Sequence, residues 1–183
     1  MSERPGARKS SEKGLGMRVI CLALVLFGAV LPGAAAQDVS DGDLASQMRV
    51  RGGQNAFLYD WQRLTGDVTC DGAADMVAGY VDLDNPEGLG FFFAVVAREQ
   101  GRLVSDAKFT YFDDRHEDGL CGEGKPAPVM SLERLTAEEA RALSGIEDVC
   151  PIAVRIDDGL CEPHRYFWSA ARGRDDRLLL VRN

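Results

Sequence analysis

The chain has 183 residues, 45% of them hydrophobic, and 29 acidic against 21 basic residues give a net charge of −8. That length and apolar content supply one packed core rather than several. The acidic excess argues against nucleic acid or anionic lipid as partners. No G-x-S-x-G, no H-E-x-x-H and no phosphate-binding glycine loop occurs, which excludes the commonest serine-hydrolase, zinc-protease and nucleotide-binding signatures.

Residues 1–36 read as a secretion signal. Val19 to Leu31 is an apolar run of 13 residues, preceded by Arg and Lys and followed by Gly33-Ala34-Ala35-Ala36. The run is short of the roughly 20 residues that a membrane span needs. Export with cleavage near Ala36–Gln37 into the periplasm or medium is therefore expected, and Met17 offers an alternative start for the same signal. From Gln37 onward 16 basic face 27 acidic residues, a net charge of −11.

Residues 37–53 are polar and weakly patterned and are expected to form a mobile N-terminal segment, leaving 54–183 as a single domain. Gln54 to Leu64 places Phe57, Leu58, Trp61 and Leu64 at helical spacing, predicting a short amphipathic helix. Met76 to Leu83 is strand-like, 84–88 is a turn, and Leu89 to Arg98 is a strand apolar on both faces, as one covered on both sides would be. Gln100-Gly101 turns the chain into Leu103–Phe112. There Leu103, Ala107, Phe109 and Tyr111 alternate with Asp106, Lys108 and Thr110. A long loop spans 113–128. Thr136-Ala137-Glu138-Glu139 is a capping box that starts a helix ending near Gly145, and strands follow at 152–156, 165–171 and 178–182. About six antiparallel strands, two short helices and two disulfides make an α+β fold.

The four cysteines after the signal, Cys70, Cys121, Cys150 and Cys161, have no C-x-x-C spacing, which speaks against zinc and for two disulfides in an exported chain. Three connectivities are open. Loop-closure entropy favours Cys70–Cys121 with Cys150–Cys161. A tight hairpin at Asp158-Gly159, however, would set Cys150 opposite Phe167 and Cys161 opposite Ile156, against a local pair. Asp118-Gly119-Leu120-Cys121 is echoed by Asp158-Gly159-Leu160-Cys161, which marks two similar Cys-bearing turns.

Asp67, Thr69, Asp71 and Asp75, with Gly72 at the turn, resemble the calcium loop of dockerins, EF-hands and FG-GAP repeats. That resemblance implies oxygen ligands converging on a bound calcium ion. Thr69 stands where a stronger acidic ligand is usual, and Ala78 where an EF-hand has its bidentate Glu. The competing expectation is a turn stapled at Cys70, with the Asp67 and Asp71 carboxylates accepting from nearby backbone N–H groups. His116 and His164 are the only histidines and hence the usual candidates for a general base. His116 lies among charges. His164 opens an aromatic run in which Tyr166 and Trp168 are candidate binding residues beside Phe167, although packing explains them as well.

Three motifs, T-C-D-G-x-x-D at Thr69–Asp75, Y-V-D-L-D-N-P at Tyr80–Pro86 and D-D-G-x-C at Asp157–Cys161, resemble those of small exported bacterial proteins of unknown function. That resemblance implies export and brings no activity with it. The expectation is thus an exported, monomeric, acidic binding protein whose partner is a basic envelope or secreted protein, such as a lysozyme-like enzyme. The alternatives are a calcium-binding module at Asp67–Asp75 and a hydrolase using paired carboxylates. The scarcity of catalytic motifs leans away from an enzyme, and no resident cofactor other than calcium is expected.

Overall fold

Among the described residues, eight strands in two antiparallel four-stranded meanders form the centre of the fold, and one helix covers the outer face of each. The computed structural model describes residues 38–53, 56, 60–84, 88–113, 115, 119–122, 126–173 and 176–182. The expected signal therefore lies outside the described residues, as do His116 and part of the expected helix at 54–64. The first sheet orders β1 (Gln62–Gly66), β2 (Asp75–Asp82), β3 (Gly90–Glu99) and β4 (Arg102–Tyr111) side by side. The second orders β5 (Val129–Arg134), β6 (Ile152–Asp157), β7 (His164–Trp168) and β8 (Leu178–Val181). Helix α1 (Asp41–Gly52) precedes β1, and α2 (Ala137–Ser144) joins β5 to β6. None of the described helices is long and apolar enough to cross a membrane.

The layers follow from the period-two alternation of side chains along a strand. In β3, Phe91, Phe93 and Val95 point to the second sheet and meet Val154, Ile156, Tyr166 and Trp168. The intervening Phe92, Ala94 and Val96 point outward to Leu44 and Met48 of α1. GFFFAVVA is apolar on both faces because both are covered, as the sequence predicts. Each buried phenylalanine contributes about 2–3 kcal/mol through the area it removes from water. On the far side, Ala140 of α2 closes over Ala153, Phe167 and Val181.

Between the sheets, each open edge is bridged by one polar side chain. Gln62 of β1 reaches β5, where its Nε2 donates to Pro128 O and its Oε1 accepts from Met130 N at 2.8 Å. Asp106 of β4 reaches the start of β8, where its Oδ2 accepts from both Arg177 N and Leu178 N at 2.7 Å while its Oδ1 accepts from Ala107 N. These carboxylate and amide groups substitute for a neighbouring strand and leave no edge amide orphaned at those points.

Several expectations are corrected. The segment 37–53, expected to be a mobile start, contains α1. Ser40 caps it, accepting from Asp43 N while Asp43 accepts from Ser40 N, and Leu44 and Met48 are fully buried. Gln62 to Leu64, read as the end of a helix, lie in β1, because pairing of Leu64 with Val77 overrides the helical spacing of Trp61 and Leu64. With β5, this raises the strand count from about six to eight. The α+β class and the two disulfides stand.

The disulfide pairing also differs. The bonds are Cys70–Cys150 and Cys121–Cys161, not Cys70–Cys121 and Cys150–Cys161. Closure entropy ranks loops as free chains, whereas here the packing of the sheets decides. Stacking the sheets brings the β1–β2 loop to the chain entering β6, with 5.5 Å between the Cα atoms of Cys70 and Cys150. The β6–β7 connection is a longer loop than a tight hairpin: His164, not Cys161, stands opposite Ile156. Cys161 is thereby free to reach Cys121 on the chain leaving β4. The two echoed D-G-L-C turns are thus bonded to each other.

Candidate functional site

The loop between β1 and β2 folds around its own backbone. Asp67 accepts from Asp71 N through Oδ1 at 3.0 Å and from Gly72 N through Oδ2 at 3.1 Å, and Asp71 Oδ1 accepts from Ala73 N at 2.8 Å. Asp38, ahead of α1, accepts from Ala74 N. Cys70 and Gly72 both have positive φ, 59° and 86°, which reverses the chain tightly. Asp67, Thr69, Asp71 and Asp75 are therefore brought together, but backbone amides occupy most of the carboxylate oxygens. Among the described residues no group of three or more His, Cys, Asp or Glu is disposed to hold a metal ion.

Asp75 differs from its neighbours. It is fully buried at the first position of β2, and its Oδ2 accepts from Thr69 N at 2.8 Å while Oδ1 has no hydrogen-bond partner. Burial pushes its pKa up to about 6, with the nearby Asp71 charge adding to the rise and the amides and hydroxyl of Thr69 and Val68 opposing it. Asp158 shows the opposite outcome in the matching turn. Burial alone would raise its pKa, but N–H groups of Cys161, Leu160, Gly122 and Cys121 together hold it below the usual carboxylate range.

The candidate binding residues His164, Tyr166 and Trp168 form no surface platform. They are 2%, 2% and 1% exposed, because β7 is covered by β3 on one side and by α2 on the other. Tyr166 Oη meets Thr110 Oγ1 at 2.8 Å across the sheets. Arg182 Nη2 lies 2.9 Å from His164 Nε2 and also donates to Gly119 O. Since a guanidinium can only donate, Nε2 accepts, and the imidazole is the neutral Nδ1–H tautomer. With Cys70, Cys121, Cys150 and Cys161 all bonded, neither the described histidine nor any of these four cysteines is presented to solvent as base or nucleophile.

A cavity lies elsewhere. About 560 Å³ opens between α1, the β3–β4 hairpin and Arg177, and its walls include Gln47, Arg51, Glu99, Arg102 and Ser105. Gln100 and Gly101, both at positive φ (51° and 76°), form the primed turn that twists the hairpin into its rim. Among the described residues the cleft holds one carboxylate, Glu99, which pairs with Arg177, and no second carboxylate stands opposite it as in a sugar hydrolase. Sequence reasoning missed this cleft, since residues 51, 102 and 177 share no motif.

The opposite end of the sandwich is apolar and acidic. Register places Asp82, Gly90 and Tyr111 side by side at one end of the first sheet and pairs Val129 with Asp157 at one end of the second. The Cys121–Cys161 bond and the Leu120 N to Tyr111 O hydrogen bond join those ends. Leu83, Leu89, Val129 and Leu160 stand there exposed, four of the five large exposed apolar side chains among the described residues. Among the described residues, segments 82–88, 113–125 and 157–162 hold the acidic Asp82, Asp84, Asp113, Asp157, Asp158 and Glu162 against the basic Arg115. Comparison with protein-family models, with curated proteins and with solved structures finds no match to this chain.

Proposed function

We propose that the chain is an exported, non-enzymatic binding domain that docks a basic protein on its acidic and apolar end. The observation that carries this reading is the position of Leu83, Leu89, Val129 and Leu160 on one end of the sandwich, within segments of strongly negative charge. Apolar side chains supply the desolvated centre of such an interface, and surrounding carboxylates steer a cationic partner and exclude acidic ones. A cationic lysozyme-like enzyme has the required surface and compartment. The disulfides and the signal-like segment at 1–36 support export.

Calorimetric titration of the disulfide-intact protein with a purified basic lysozyme tests the proposal. Binding is expected to weaken as salt rises and to be lost when Leu83→Arg and Leu160→Arg are combined. Binding that ignores both changes, or no binding to lysozyme and other basic exported proteins, overturns it.

A second reading, a calcium module at Asp67, Thr69, Asp71 and Asp75, has one observation in its favour: Asp75 Oδ1 is buried without a partner. The hydrogen bonds inside the loop favour the stapled turn. A melting temperature unchanged by calcium is expected for the turn, and a rise with calcium would favour the cage.

A further inference from the structure

The cleft beside α1 carries charge of the opposite sign to the rest of the chain. Arg51 from the last turn of α1, Arg102 at the start of β4 and Arg177 ahead of β8 bring three guanidinium groups to one concavity. Among the described lining residues Glu99 is the one carboxylate, so two of the three positive charges are in excess there. The C-terminal end of α1 opposes an anion through its dipole, and Arg49 and Arg51 in that last turn counter it.

Part of the wall is already held in place. Arg51 donates from Nε to Ser105 Oγ at 3.2 Å and from Nη2 to Ser105 O at 2.8 Å, and Ser105 Oγ donates to Gln47 Oε1 at 2.6 Å. Arg177 has a side chain only 12% exposed, with its guanidinium 5.3 Å above the Trp168 ring. Its Nε is buried and has no hydrogen-bond partner. A buried guanidinium N–H without an acceptor is uncommon and invites one. Arg102 is exposed at the rim and makes no ion pair among the described residues.

We propose that this cleft binds a small multivalent oxyanion, a carboxylate or phosphate compound, held by the guanidinium groups of Arg102 and Arg177. Its volume is within the usual range for small-ligand sites, and planar guanidinium groups match the geometry of both oxyanions. The site stands independently of the partner-docking end.

Citrate and pyrophosphate are the two probes, followed by calorimetry and by the NMR signal of Arg177 Nε–H. Binding of either, with a shift of that signal, is expected. The tighter probe identifies the oxyanion as carboxylate or phosphate. Arg102→Ala should weaken binding about tenfold or more, the scale of one charge-assisted contact. Arg63→Ala, an exposed arginine outside the cleft, should leave it unchanged. No heat and no shift with either probe up to about 10 mM, a Kd beyond any specific site, overturns the proposal. So does an equal loss in Arg102→Ala and Arg63→Ala, which would make the attraction a general charge effect.

Discussion

Asp75 offers the most direct test of the energetics. Its carboxyl is fully buried, has one oxygen without a partner and has a pKa raised to about 6 from the model-compound value of 3.8. Because the folded-state pKa lies above the unfolded one, the proton on Asp75 stabilises the fold. That stability is fully present below about pH 4 and is lost as pH rises through about 6. A rise of about two pKa units at about 1.4 kcal/mol each amounts to about 3 kcal/mol across that window. Asp75→Asn keeps the shape and the acceptor for Thr69 N and removes the buried charge. The variant should match the wild type near pH 4 and exceed it by about 2–3 kcal/mol near pH 7.5. Urea midpoints at a series of pH values, at constant denaturant slope, measure this difference, and the other titrating groups cancel in the subtraction. A difference independent of pH, or a variant less stable than wild type at the high end, would refute the reasoning.

Peptide mapping without reduction should recover Cys70 joined to Cys150 and Cys121 joined to Cys161. Replacing Cys70 and Cys150 together by Ser should cost about 4–5 kcal/mol, since that bond closes the longer loop. A Cys70–Cys121 peptide would contradict the packing of the two sheets. Asp106→Ala should cost about 2–5 kcal/mol in urea denaturation, because it leaves the Arg177 and Leu178 N–H groups buried and unpaired. A loss under about 1 kcal/mol would mean that water replaces the clip.

What could be read from the sequence was whatever is encoded locally. GFFFAVVA announces a strand covered on both faces because it contains no polar residue, and α2 is announced by its Thr136–Glu139 box. Asp67 and Asp71 have the turn chemistry that the loop uses. Helix α1 was hidden because Asp43, rather than Glu or Gln, completes its capping box and only Leu44 and Met48 anchor it. β1 was hidden because helical spacing of a few apolar residues cannot be told from a short strand when tertiary pairing decides. Tyr166 and Trp168 have the same letters whether they line a surface or a core, and only the second sheet and α2 put them inside. The arginine cleft depends on residues 51, 102 and 177, whose meeting is a property of the assembled sandwich alone.

The two disulfides interleave among the four cysteines of residues 70–161: the first pairs with the third and the second with the fourth. For a chain entering an oxidising compartment N-terminus first, Cys70 and Cys121 are the first two of these four thiols to arrive, and they belong to different bonds. The bond between them would close a shorter loop than Cys70–Cys150 does, and although Cys121–Cys161 closes a shorter one still, Cys161 is the last of the four to arrive. The easiest early product is therefore a wrong one, and it sequesters one sulfur from each native bond. Escape requires thiolate attack on that bond, a reaction of seconds to hours that depends on a catalyst more than on an oxidant. In a chain that forms this bond, the topology that locks the sheets together in the finished protein is reached through thiol–disulfide exchange.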